Sequence, residues 1–307
     1  MTTDSATGPG GGTGIAVASG MLKGVFGHGV LAAFEERGLR ARVYGTASSS
    51  GLSGGLAAIG RAREVGVDYW LRAAAGAART GMSQVALESI REYGPTLRAG
   101  LFRDDAPDLL LATSKVTTAA GAELTQGPGA KRLGRQLLRD TLSGDRSWAE
   151  RHLAPVVFAT RPERAGPGAA RLTEANYDAV AYASTRMLHA WAVPAEVDGE
   201  PYVDASYTCA CPAREVAETG VSSLIVIGSD PFPLYRDLYG SEEIVDGAPL
   251  GSARVLVVRP ADDLKTLGVD YGAATEEGLA GAYALGLETG HRFADDHGEL
   301  LTNGSGS

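Results

Sequence analysis

The chain has 307 residues, 44% of them apolar and 21% charged, which suits a packed globular protein and excludes wholesale disorder. Its formal net charge is −9, from 28 Lys and Arg against 37 Asp and Glu, with no basic run, so a nucleic-acid partner is not expected. No apolar run approaches the roughly 18–20 residues that span a bilayer, and the opening residues lack the pattern of a secretory signal. Integral membrane association is therefore not expected, and the reading is a cytoplasmic protein. Cys209 and Cys211 lie one residue apart, too close for an ordinary disulfide and too few for a zinc site.

In chain order, residues 1–13 and 302–307 are small and polar and read as flexible tails, leaving 14–301 as a single α/β domain. Residues 14–18 form a short apolar run, expected as a buried strand, and Ser19-Gly20 breaks it. Val25, Phe26, Val30, Leu31 and Phe34 then recur at helical spacing over 24–37, with Gly38 as the stop. A second strand over 41–44 runs into the Gly/Ser-rich stretch 45–55, followed by a helix over 56–64. Further strands are expected at 109–112, 155–159, 224–228 and 254–258, with helices at 130–141 and 213–219 and turns at 104–107 and 162–168. This βαβα beginning predicts a mostly parallel sheet of five or six strands with helices on its faces.

Three turns carry the chemistry. Ser19-Gly20-Met21-Leu22-Lys23-Gly24 joins a strand to a helix, and amides at a helix start can receive an anion or a developing oxyanion. It is not a dinucleotide loop: the spacing of Gly24, Gly27 and Gly29 is wrong for GxGxxG, and no acidic residue falls between Tyr44 and Ser53. The second turn is Gly45-Thr46-Ala47-Ser48-Ser49-Ser50-Gly51, where a serine on a sharp strand-to-helix turn has its hydroxyl forced outward. The third is 198–212, in which Asp198-Gly199 signals a hairpin and Asp204 is followed by small Ala205 and Ser206. Asp204 there either orients and deprotonates a serine or makes an Asx turn.

Together these turns resemble those of the patatin-like phospholipases, above all their bacterial members. Residues 23–31 look like the family's RGxxxxGVL, Ala183-Ser184 through Trp191 like its ASxAIPGLF, and 197–204 like its IDGxxYVDG. Pro212 through Val216 resembles the following PVxxA, and Val257-Val258-Arg259-Pro260 and Ala284-Leu285-Gly286 resemble the C-terminal part, so the likeness spans about 14–295. It implies a three-layer patatin-like fold, a mostly parallel central sheet flanked by helices, and a Ser–Asp dyad without histidine. The implied activity is hydrolysis of a small-molecule ester or acyl substrate, with no metal or cofactor.

All three motifs depart from the family. GGGxRG appears as Ser19-Gly20-Met21-Leu22-Lys23-Gly24, DGG as Asp204-Ala205-Ser206, and GxSxG as a run that allows three registers. Anchoring on Gly45-Thr46 puts Ala47 at the nucleophile and leaves a dead dyad, while counting from Lys23-Gly24 or from the following helix puts Ser48 there. The steric demand for small flanks prefers Ser49. Ser48 is placed first and Ser49 second, with Asp204 as base and the turn Gly20, Met21, Leu22 and Lys23 as oxyanion hole. Lys23 is read as attracting an anionic substrate or as a solvated helix-start lysine, and Cys209, His28 and His189 as structural before catalytic. Acyl transfer or cyclisation in a specialised pathway, and a non-catalytic binding role, are the alternatives. Trp70 with Leu71, and Trp148, are the residues that could form a membrane-facing surface.

Overall fold

The computed structural model describes residues 11–298 and 300. The chain forms an α/β architecture around a ten-stranded, mostly parallel sheet. Its strands are β1 (Thr13–Val17), β2 (Val43–Ala47), β3 (Asp108–Val116), β4 (Leu153–Ala159), β5 (Ala170–Arg171), β6 (Ala195–Val197), β7 (Glu200–Val203) and β8 (Ser223–Ile227). A separate two-stranded ribbon follows, β9 (Leu234–Tyr235) with β10 (Glu243–Ile244), before β11 (Pro249–Leu250) and β12 (Ala253–Val258) return to the main sheet. The order is β11-β12-β8-β1-β2-β3-β4-β5, with β7 also paired to β3 and β6 paired to β7. From β12 to β3 every neighbour is parallel, while β4 and β7 run antiparallel to β3.

The helices are α1 (Gly24–Glu36), α2 (Ser50–Ala58), α3 (Ala62–Val65), α4 (Asp68–Thr80), α5 (Met82–Leu101), α6 (Ala119–Gln126), α7 (Ala130–Ser143) and α8 (Ser147–His152). The remainder are α9 (Tyr177–Thr185), α10 (Ser206–Cys209), α11 (Ala213–Ala217) and α12 (Glu276–Asp296). Among the described residues no helix is long and apolar enough to cross a membrane.

Strand alternation explains why helices cover both faces. Ile15, Val17, Ile225 and Ile227 point into the core shared with Val25, Phe26 and Leu279, whereas Ala16, Leu224 and Val226 point into a second core with Val216 and Ala217 of α11. Burying both faces makes β1 and β8 read as unbroken apolar runs. Helices α1 and α12 cross at backbone contact: a Cβ on Gly29 would lie 2.3 Å from the Tyr283 carbonyl oxygen, and one on Gly286 2.2 Å from that of Phe26.

The six strands expected from apolar runs are all present, β2 shifted to 43–47 so that it ends at the second turn. The sheet is wider than expected because β5 and β11 are two residues each and the hairpin β6–β7 adds two strands. Asp198 and Gly199 both take positive φ (52° and 79°), the conformation a two-residue hairpin demands. The helix expected over 56–64 is instead α2, starting at Ser50, and α3, broken at Gly60, whose φ is +71°. Of the expected tails, Thr13 belongs to β1, while residues 1–10 and 302–307 lie outside the described residues.

Candidate active site

Strand β2 ends at Ala47 and α2 begins at Ser50, so Ser48 and Ser49 must turn the chain within two residues. Ser48 does this by taking φ +57°, the left-handed region that costs a residue with a Cβ about 1–2 kcal/mol. Several bonds hold the turn. The Ser48 amide donates to Ser184 Oγ at 2.9 Å, the Gly51 amide donates to the Ser48 carbonyl at 3.0 Å, and the Ala47 amide donates to Ser50 Oγ at 2.9 Å. Ser50 Oγ lies within 2.9 Å of the Val17 carbonyl, tying the turn to the neighbouring strand β1.

Ser48 Oγ donates to Asp204 Oδ2 at 2.7 Å. Asp204 follows β7 and is wholly buried; its other oxygen accepts the Ser206 amide at 2.8 Å, and its own amide donates to the Arg186 carbonyl at 3.0 Å. Burial pushes its carboxyl up to about 6, against the opposing pull of the Ser206 and Ser48 hydrogen bonds. A carboxylate with that proton affinity, in contact with a hydroxyl, is placed to take the hydroxyl's proton.

The structure separates the three registers. Ala47 is the last residue of β2 and packs its methyl against Ala112, Ala205 and Cys209. Ser49 is an ordinary right-handed residue (φ −59°) at the start of α2, and its Oγ is buried without a hydrogen-bond partner. Of the three candidates, Ser48 alone has its hydroxyl on Asp204.

The first turn forms a short 3₁₀ segment, Met21–Lys23, leading straight into α1. Its departures from glycine are uneven. Gly20 is retained where a Cβ would sit 2.7 Å from Ser229 Oγ and 3.0 Å from the Gly24 amide nitrogen, whereas Met21 accepts a positive φ of 47°. The Leu22 amide, expected as an oxyanion donor, instead donates to the Tyr271 carbonyl at 3.3 Å. Lys23 corrects both readings made of it: it is neither solvated nor open to substrate. The residue is 1% exposed, and its Nζ donates to Asp230 at 2.5 Å and Asp263 at 2.7 Å, with the Tyr271 ring 4.7 Å away. Burial alone would lower its proton affinity, but the two carboxylates outweigh that and raise it, so Lys23 is fixed as a cation.

Ser48 opens onto a cleft enclosing about 750 Å³ between atoms, part of it open to solvent. Met21 and Leu22 wall one side; Leu52, Trp70, Val85, Ile90, Leu97 and Trp191 make the lining overwhelmingly apolar. Trp70 is 2% exposed and so belongs to this interior, not to a membrane-facing surface.

The remaining candidates resolve as packing groups. His28 is wholly buried, accepts the Trp70 indole N–H at Nδ1 (2.9 Å) and donates from Nε2 to the Ala62 carbonyl (2.9 Å); burial lowers its proton affinity to about 4, keeping it neutral. His189 is held neutral by burial and by Arg135 and Lys131, and does not line the cleft. Burial raises the Cys209 thiol well above its ordinary value, leaving it protonated beneath Ala47.

Sequence reasoning missed Ser184, which holds the Ser48 amide, and Asp230, Asp263 and Tyr271, which hold the first turn. Ser184 stands in the quoted Ala183-Ser184 segment, but nothing in a single serine announces that its acceptor role falls 136 residues away. No family model matches the chain, and no curated protein matches it significantly.

Proposed function

We propose that this protein is a serine acyl hydrolase of the patatin-like type, acting on a small-molecule ester through the dyad Ser48–Asp204. The observation that carries the reading is the 2.7 Å hydrogen bond from Ser48 Oγ to a buried Asp204, made by a serine at positive φ that lines an apolar cleft. In the reaction Ser48 Oγ attacks the acyl carbonyl while Asp204 takes its proton. The tetrahedral oxyanion rests against amides at the two helix starts, Met21 in the first turn and Ser49 at the head of α2. Asp204 passes the proton to the departing alcohol, leaving acyl-Ser48. Water then attacks the acyl group, gives its proton to Asp204, and Ser48 leaves with that proton restored.

The Leu22 amide already serves the Tyr271 carbonyl, so the oxyanion site is smaller than the motif alone suggests. The hydrophobic lining favours an acyl group over a sugar or a phosphate ester as the part bound beside Ser48. The reading of a binding protein with a dead dyad rests on Ala47 at the nucleophile position, whereas Ala47 is buried at the end of β2 and Ser48 occupies the turn, which supports the hydrolase reading. Short p-nitrophenyl esters test the hydrolase: wild-type protein should turn them over, and Ser48→Ala and Asp204→Asn should each abolish turnover. Hydrolysis surviving both substitutions contradicts the dyad.

A further inference from the structure

Helix α7 buries one side and shows the other to solvent. Ala130, Gly134 and Leu137 are buried, and a Cβ on Gly134 would lie 2.4 Å from the His189 amide nitrogen, so α7 packs directly on the turn that brings Trp191 to the cleft. At about 100° per residue, Lys131, Leu142, Arg135, Arg139 and Arg132 fall within an outer arc of about 100°. All five are exposed, Leu142 at 90%. The chain separates these cations with leucine, glycine and glutamine, so no basic run shows in the sequence; the helix gathers them. Asp140, the only acid on α7, lies outside the arc and accepts the Gln136 amide at 2.6 Å.

Several exposed arginines elsewhere stand against carboxylates: Arg37 on Asp295, Arg72 on Glu92, Arg214 on Glu242. Among the described residues none of the four cations of α7 makes a salt bridge; Arg139 donates to the Gln136 amide oxygen at 2.6 Å. In a chain of net charge −9 such a face is a local reversal of sign. Screening at physiological salt confines its field, and that of the acids elsewhere, to about 8 Å, so whatever approaches this arc meets cations first. Shape decides between anionic partners. A single helix face is convex and offers a protein no pocket, whereas a fluid layer of lipid head groups conforms to it. Clustered Lys and Arg on an amphipathic helix are drawn to anionic lipid, and an exposed leucine among them can sink below the head groups.

We propose that the outer face of α7 docks this protein on an anionic lipid surface, with Lys131, Arg132, Arg135 and Arg139 against lipid phosphates and Leu142 inserted below them. The inference rests on that exposed face and not on the proposed hydrolase. Docking by this face places α7 between the bilayer and the turn that carries Trp191.

Sedimentation with sucrose-loaded vesicles tests this on the full chain. Wild-type protein should bind vesicles of equal parts phosphatidylcholine and phosphatidylglycerol but not phosphatidylcholine alone, and high salt should release it. Arg132→Gln with Arg135→Gln should weaken binding about 25-fold, at about fivefold per cation. Arg40→Gln with Arg254→Gln, the same change of net charge at exposed positions off α7, should leave it unchanged. A bimane label on Leu142→Cys should shift its emission to the blue with the mixed vesicles; Cys209 and Cys211 are buried and escape labelling. Equal binding to both vesicles or to neither, an unaffected Gln pair, a silent label, or capture by poly-L-glutamate but not by vesicles would overturn the proposal. Ester turnover is measured on the same samples: vesicle binding without turnover removes only the hydrolase, and turnover without vesicle binding removes only the docking.

Discussion

Ser184 accepts the backbone amide of Ser48 on its side-chain oxygen at 2.9 Å, and its own carbonyl accepts the amide of Ala205, the residue after Asp204, at 3.1 Å. One residue at the end of α9 thus joins the backbones of both members of the dyad. The bridge runs alongside the 2.7 Å bond from Ser48 Oγ to Asp204. Ser184→Ala removes the acceptor and leaves a buried amide at a strained residue. It should cost about 1–3 kcal/mol in chemical denaturation, and it should lower kcat for ester hydrolysis with little change in KM. A mutant with unchanged kcat and stability would show that the elbow holds its shape without the bridge.

If Asp204 is the base of the proposed hydrolysis, its proton affinity fixes the pH behaviour of the reaction. The general base must be ionised, so kcat/KM should rise with pH through about 6 and level off above it. A profile flat from pH 5 to 8, in a protein that stays folded, would assign the base role elsewhere.

The same group sets a cost in stability. In the unfolded chain an aspartate ionises near pH 4, whereas Asp204 in the folded protein ionises at about 6. Between those values the folded state keeps a proton that the unfolded state has lost, so raising the pH through this window weakens the fold, by on the order of 3 kcal/mol once above it. Asp204→Asn escapes that penalty. It should be inactive yet more stable than wild type at about pH 8, with the advantage vanishing near pH 4. Denaturation curves at the two pH values test the sign: an Asn variant less stable at high pH contradicts the desolvation account.

Lys23 locks the first turn to the C-terminal part of the chain through Asp230 and Asp263. Lys23→Met leaves both carboxylates without their cation and should lower the midpoint of chemical denaturation. Combining it with Asp230→Asn should recover part of the loss, since one stranded charge is removed. Additive losses in the double variant would mean that the two side chains act independently.

These partnerships mark where the sequence stops being informative. Strands β1, β2, β3 and β8 were legible because burial on both faces fills them with apolar residues, β4 and β12 as apolar runs although they are partly exposed, and the elbow as a serine-rich break between strand and helix. The edge strands β5 and β11 have two residues each, too short for any period to register. The register of the elbow was ambiguous because different anchors put Ala47, Ser48 or Ser49 at the nucleophile position, and the two serines among them have the same chemistry. What distinguishes Ser48 is backbone position at the end of β2 and a partner 156 residues away. Lys23 was misread for a related reason: its carboxylates lie 207 and 240 residues distant, so nothing local separates a buried, doubly paired lysine from a solvated one.

Labelling with a fluorophosphonate, read by intact mass and peptide mapping, tests the central claim most directly. The account predicts a single adduct on Ser48, retained in Ser49→Ala and lost in Ser48→Ala and Asp204→Asn. An adduct on Ser49, or none on protein shown to be folded, would contradict a dyad of Ser48 and Asp204.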